Sequence, residues 1–96
     1  MNTLIASAYV ATDTPARYIS RLCRHFAHKL TVSFDEHRGS IRFDAGHARL
    51  HTGSGGLTLT VEAASQADLH RLQHVVASHF ERFAWQDALQ LEWKPV

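Results

Sequence analysis

The sequence predicts an α+β fold, a two-layer sandwich in which two helices pack on one face of an antiparallel sheet. Two segments carry apolar side chains at spacings of three and four, the period of an amphipathic helix. Between them lie four short segments in which polar and apolar residues alternate, separated by turns that contain glycine. The 96 residues leave room for one domain, residues 1–96. The order of the segments along the chain is β-α-β-β-β-β-α-β. The two apolar helix faces can both be buried only against one face of the sheet, which gives the two-layer sandwich.

The first strand is predicted over residues 3–11, where small and β-branched residues precede Asp13-Thr14-Pro15. A capping side chain followed by proline is a typical helix start. The first helix is therefore expected from Pro15 to Lys29. Its buried face would comprise Tyr18, Ile19, Leu22 and Phe26, with Cys23 at the edge.

Four alternating segments follow and predict a meander of antiparallel strands. They cover residues 31–34, 40–43, 47–52 and 57–63. The side chains expected to face the helices are Val32, Phe34, Ile41, Phe43, Ala48, Leu50, Leu57, Leu59 and Val61. The opposite face would carry Arg42, His47, Arg49, His51, Thr58, Thr60 and Glu62. Antiparallel sheets often leave one face in water, so this polar face is expected to be exposed.

Ser65 is the predicted cap of the second helix, with Asp68 three residues later in the position of a capping box. The helix should end near Ala84, and a last strand is predicted over residues 89–93. Its apolar face would comprise Leu69, Leu72, Val76, Phe80 and Phe83.

Composition limits the class of partner. Ten basic and nine acidic residues give a formal charge of +1, which provides no strong field for nucleic acid. No segment has the apolar length of a membrane span. Cys23 is the only cysteine, so no internal disulfide can form and a reduced, cytoplasmic location is expected.

Eight histidines supply the candidate site chemistry, and His25 and His28 lie one turn apart near the predicted end of the first helix. Two imidazoles on one helix surface are suited to a divalent metal ion, and a site needs at least one further donor. The predicted strand order places His47 at the nearest turn, so His25, His28 and His47 are the candidate metal ligands. The alternative is that both imidazoles only bond free carbonyls at the helix end.

His79 belongs to the apolar face of the second helix. It is expected to be a buried neutral imidazole bonded to a backbone carbonyl or to Tyr18, the alternative being a pocket ligand with Glu81 and Arg82 at the rim. Antiparallel helices would hold His79 about three turns from His25 and His28.

His47, Arg49 and His51 share one sheet face and are candidates for holding an anionic group. The alternative is that they pair across strands with Glu62 or Glu92. His70 and His74 are expected on a solvated helix face, and Cys23 is poorly placed for nucleophilic catalysis.

The segments at residues 22–29, 34–35, 39–43 and 75–84 resemble a bacterial family, domain of unknown function 2218 (DUF2218). The sequence departs mildly from the family pattern at Phe80 and at residues 85–87. The resemblance implies a fold similar to TATA-binding-protein-like or helix-grip domains, and no established activity. It also implies an association with siderophore-interacting flavin reductases, and so with iron metabolism.

The expected function is that of a small non-catalytic accessory domain that binds a ligand or a metal ion. The alternative is an interaction module that forms a homodimer and whose histidines are structural. A third hypothesis is a small-molecule enzyme that uses His25, His28 and a carboxylate such as Glu81. No nucleic-acid or membrane partner is expected.

Overall fold

The computed structural model describes residues 3–87 and 89–96, which form a six-stranded antiparallel sheet and two long helices. The strands are β1 (Leu4–Ala11), β2 (Thr31–Phe34), β3 (Arg38–Phe43), β4 (Gly46–Gly53), β5 (Gly56–Ala63) and β6 (Lys94–Pro95). The helices are α1 (Pro15–Phe26) and α2 (Gln66–Phe83), and a short 3-10 helix follows at Trp85–Asp87. The sheet order β2-β3-β4-β5-β1-β6 confirms the predicted fold class and element order.

The two helices start in different ways. Ser65 caps α2 as predicted, since its hydroxyl accepts the backbone N–H of Asp68 at 3.2 Å. Thr14 precedes α1, but its side chain makes no capping bond, and the helix start is set by Pro15 at the first position. Helix α1 ends at Phe26, earlier than the predicted Lys29, and the Lys29 N–H bonds to the Phe26 carbonyl only three residues back, in a tighter turn.

The core lies between the sheet and the helices. Helix α1 packs over β2, β3 and β4, and α2 packs over β4, β5 and β1. Gly39 brings α1 close to β3, since a Cβ there would lie 2.8 Å from the Sγ atom of Cys23. The other sheet face carries the exposed side chains of Arg42, Arg49 and His51, as the alternation predicted.

Two local predictions were wrong. Phe34 was expected inside, but it lies on the edge strand β2 and is 39% exposed. The last strand was expected at residues 89–93, yet the strand that pairs with β1 is Lys94–Pro95, opposite Ser7 and Ala6. Leu91 is buried, as its place in the alternation predicted, but its N–H donates to the Glu81 carboxylate at 3.1 Å rather than to a neighbouring strand.

Neither helix in the described part of the chain combines the length and the apolar character needed to cross a bilayer.

Candidate functional site

The C-terminal ends of the two helices meet and enclose a cluster of rings. The ring centroids of His25 and His79 are 4.6 Å apart, and His79 lies 5.0 Å from Phe26. Phe83 packs edge-on against His25 at 5.7 Å, and Phe43 of β3 packs edge-on against Phe26 at 5.2 Å. The two imidazoles therefore pack against phenylalanine rings, and the contact between Phe26 and Phe43 links this cluster to the sheet.

The predicted separation of His79 from His25 and His28 was wrong. Tyr18 and His25, about two turns apart on α1, contact the adjacent α2 residues Phe80 and His79. The end of α2 therefore packs against α1 in contact with both Tyr18 and His25, and His79 lies at the end of α1.

The ring of His79 is fixed in orientation. It is half-buried, and its Nδ1 atom lies 2.7 Å from the Val75 carbonyl oxygen. A carbonyl only accepts, so Nδ1 carries the proton and donates it. In the neutral ring Nε2 is then left as an acceptor. The expected bond to a backbone carbonyl is confirmed.

A pocket of about 440 Å³ opens beside these rings, at the end of α1. The side chains and backbone that line it are those of His25, Phe26, His28, Lys29, Leu30 and His79. A second hollow of about 340 Å³ shares His25 and His28 with the first and is lined on its other sides by Arg21, Arg24 and Phe83. The walls thus combine apolar surface with basic groups, and we call this place the helix-end pocket.

The electrostatic environment of the helix-end pocket is positive. Partial burial lowers the pKa of His25, and the nearby positive charges of His79, Arg82 and His28 lower it further. Each of these neighbours disfavours a proton on His25 when it is itself charged. The ring of His25 is therefore neutral over more of the physiological pH range than an isolated histidine.

The structure does not bring the three predicted metal ligands together. His47 lies on the open sheet face, where its Nε2 is 2.6 Å from the Ser40 hydroxyl and its Nδ1 is 3.5 Å from the Glu62 carboxylate. Its neighbour Ala48 points into the core, so the whole sheet separates His47 from the helix-end pocket. Within residues 3–87 and 89–96, no three histidine, cysteine, aspartate or glutamate side chains are arranged to hold a metal ion.

The polar sheet face is paired within the chain. Arg49 donates to the Glu62 carboxylate, and His47 lies directly opposite Glu62 in the β4–β5 register. His51 is exposed and lines a shallow hollow together with Arg38 and Arg49. The predicted cross-strand contacts to Glu62 are thus present for His47 and Arg49, whereas His51 lies opposite Arg38 and Thr58.

Glu81 and Arg82, predicted at the rim of a pocket with His79, have separate roles. The Glu81 carboxylate holds the backbone of Leu91 and does not line the helix-end pocket. Arg82 is exposed and acts on His25 through its charge. The sequence did not identify Lys29 and Leu30 as residues that line the pocket. They lie in the turn that follows the early end of α1, and this turn forms part of the pocket wall.

Cys23 is fully buried on the core side of α1. Burial raises the pKa of its thiol to about 11, so the reactive thiolate is scarce at neutral pH. This agrees with the expectation that Cys23 is not a nucleophile.

The fold and the helix-end pocket define a small α+β domain with a basic, aromatic-lined hollow. The chain belongs to the bacterial family described as an uncharacterized protein conserved in bacteria (DUF2218), whose profile matches residues 7–94. It is similar to the NMR structure of PA4090 from Pseudomonas aeruginosa, with 30% identity over 95% of each chain and a TM-score of 0.79. No curated protein matches the chain. The resemblance seen in the sequence is confirmed at the level of the family.

Proposed function

We propose that this protein is a non-catalytic binding domain that takes a small organic molecule in the helix-end pocket. The observation that carries the proposal is the pair of adjacent rings of His25 and His79 at the wall of a hollow of about 440 Å³. Small-molecule sites typically measure 300–1,000 Å³ and combine apolar walls with a few well-placed polar groups.

The apolar part of the site is formed by Phe26 and Leu30. Phe26 is held in place by Phe43 beneath it and by the two imidazoles beside it. Such a rigid aromatic wall favours a ligand with a flat apolar part, because stacked or edge-on rings gain about 0.5–1.5 kcal/mol beyond burial of area.

The polar part is formed by imidazole nitrogens and the Lys29 ammonium. The bond from Nδ1 of His79 to the Val75 carbonyl directs the opposite edge of that ring away from its own helix. A side chain already fixed in this way loses little entropy when a ligand binds.

The Cys23 thiol and the Ser78 hydroxyl are both engaged away from this site, which supports binding rather than catalysis. The Cys23 thiol is buried on the core side of α1. The Ser78 hydroxyl donates to the Val75 carbonyl at 3.2 Å, within its own helix.

A resident metal ion is not part of the proposal, because the three predicted ligands lie on two sides of the sheet. A link to siderophore-related flavin reductases rests on the family resemblance alone and is also left out. Homodimerisation through the open sheet face stays a prediction, and the Arg49–Glu62 pair shows how that face satisfies its charges within one chain.

The test is a two-dimensional amide NMR titration with a set of small aromatic fragments. We expect shift changes that centre on residues 25–30 and on His79. Leu30→Trp, which fills the pocket, should abolish them, whereas His74→Ala on the exposed side of α2 should not. Shifts confined to other surfaces, or unaffected by Leu30→Trp, would contradict the proposal.

A further inference from the structure

We propose that the ligand of the helix-end pocket is an organic anion, whose acidic group binds among the basic side chains while its apolar part lies on Phe26 and Leu30. This inference rests on the proposed function and adds the chemical class of the ligand.

The first argument is the number of basic groups that surround the pocket. Lys29 lies in its wall, and Arg21 and Arg24 line the adjoining hollow that shares His25 and His28. Arg82 approaches His25 from α2. Four side chains that are cationic at neutral pH thus come from α1, from the turn after it and from α2. The part of the sheet in contact with the ring cluster is the apolar ring of Phe43.

The helix ends account for only part of this charge. Basic residues are common in the last turn of a helix, where they offset the negative end of its dipole. Each helix end is equivalent to roughly half a negative charge, so the ends of α1 and α2 together amount to about one. Four cations exceed that several-fold, and a net positive potential remains in the hollow.

The nearby carboxylate does not neutralise the site. Glu81 directs its carboxylate to the backbone of Leu91, on another side of α2 from the helix-end pocket. Among the described residues that line the two hollows there is no acidic side chain. An acid brought by the ligand would supply the missing partner.

The imidazoles add hydrogen-bond donors that suit an acid. A neutral histidine offers one N–H, and a protonated one offers two. His25 is held neutral by burial and by its positive neighbours, which lower its pKa. An anion placed beside His25 would relieve that repulsion and gain a charge-assisted hydrogen bond from its ring. His79 already donates its Nδ1–H to Val75, so it can donate to the anion only from Nε2 and only when the ring carries both protons.

Three probes of the same size and different charge test the proposal: benzoate, benzyl alcohol and benzylamine, each titrated into the full chain and followed by amide NMR. Benzoate should bind at the pocket at least about tenfold more tightly than benzyl alcohol, and benzylamine more weakly than either. The benzoate affinity should also fall with added salt, because ions screen exposed charges.

A double variant at the pocket and a control variant on the open sheet face show which basic side chains cause the preference for benzoate. Arg24→Gln combined with Lys29→Gln changes two exposed residues and should bring the affinity for benzoate close to the affinity for benzyl alcohol. Arg49→Gln, which removes one positive charge from the open sheet face, should leave the order of the probes intact.

The outcomes separate the two proposals. Equal affinity for benzoate and benzyl alcohol at the pocket overturns the anion proposal and leaves the binding function standing. The anion proposal is also overturned if benzoate is still preferred in the Arg24→Gln and Lys29→Gln double variant, or if the preference is lost in Arg49→Gln. Failure of all three probes to shift pocket resonances overturns both proposals.

Discussion

The imidazoles of His25 and His79 lie 4.6 Å apart with their planes tilted by 44°, although they belong to two different helices, α1 and α2. His79 is bonded to its own helix through Val75, whereas His25 stands exposed beside three positively charged or chargeable neighbours. The orientation of the His79 ring is therefore fixed by a hydrogen bond, whereas the pKa of His25 is lowered by its surroundings.

Replacement of His79 by phenylalanine should separate packing from binding. The Phe ring keeps the contact with Phe26, so we expect the free energy of unfolding to change by less than about 1.5 kcal/mol. The ring nitrogens are lost, and benzoate binding should weaken by about tenfold or more. Chemical denaturation and the NMR titration measure the two effects. A variant that unfolds readily and yet binds normally would show that His79 is only a core residue.

The stability of the protein should fall as the pH falls, and His25 should contribute to that slope. Its pKa is lowered in the folded state, so the unfolded chain takes up protons more readily below about pH 6.5. The stabilising contribution is complete above that value and is lost as the pH falls through the lowered pKa.

Melting temperatures between about pH 7.5 and pH 5.5 test this prediction, and His25→Gln should show a smaller fall than the wild type. His74→Gln, on the exposed side of α2, is the control for loss of an exposed imidazole. Identical slopes for wild type and His25→Gln would contradict the prediction.

The Tyr18 hydroxyl donates to the Asp87 carboxylate and ties α1 to the segment after α2. This bond, together with burial and the negative charge of Asp87, raises the pKa of Tyr18. Tyr18→Phe should cost about 1 kcal/mol, because Asp87 is exposed and the bond competes with water.

A double-mutant cycle with Asp87→Ala should return a coupling energy of at least about 0.5 kcal/mol. Tyr9→Phe is the matched control, since the exposed Tyr9 hydroxyl donates to the Ser54 carbonyl and has no carboxylate partner. Zero coupling between Tyr18 and Asp87 would argue against the bond.

Replacement by alanine should lower the stability of the protein at one glycine of β4 and leave it nearly unchanged at another. A Cβ at Gly46 would lie 2.1 Å from the Glu62 carbonyl oxygen and 2.8 Å from Leu72, whereas a Cβ at Gly53 would meet nothing within 4 Å. Gly46→Ala should therefore cost about 2 kcal/mol or more through displacement of β4 or β5. Gly53→Ala should change stability by no more than about 0.5 kcal/mol, and thermal unfolding of both variants measures the contrast. Similar melting temperatures would contradict the close approach at Gly46.

Local patterns in the sequence predicted most of the fold. Ser65 predicted the start of α2, and the segment Thr31–Phe34 was placed with its observed bounds. The last strand was misplaced because Leu89, Leu91 and Trp93 alternate like a strand, while the Leu91 N–H is bonded to a side chain. A hydrophobic pattern records burial, and it does not record which group accepts each backbone hydrogen bond.

The sequence predicted individual residues of the candidate site but not which of them lie together. His25, His28 and His79 were each identified, but His47 was grouped with the first two and His79 was set apart. The actual grouping depends on how α2 packs against α1, where the rings of Tyr18 and Phe80 are in contact. No short-range pattern in the chain encodes that packing.

The sequence by itself determined the fold class, the order of the elements, the buried faces and the family, because each of these follows from periodicity and short motifs. Only the tertiary structure decided which histidines meet. Residues distant along the chain are brought together by the packing of whole helices on the sheet, and at the helix-end pocket this packing places His25 against His79 and puts the sheet between them and His47.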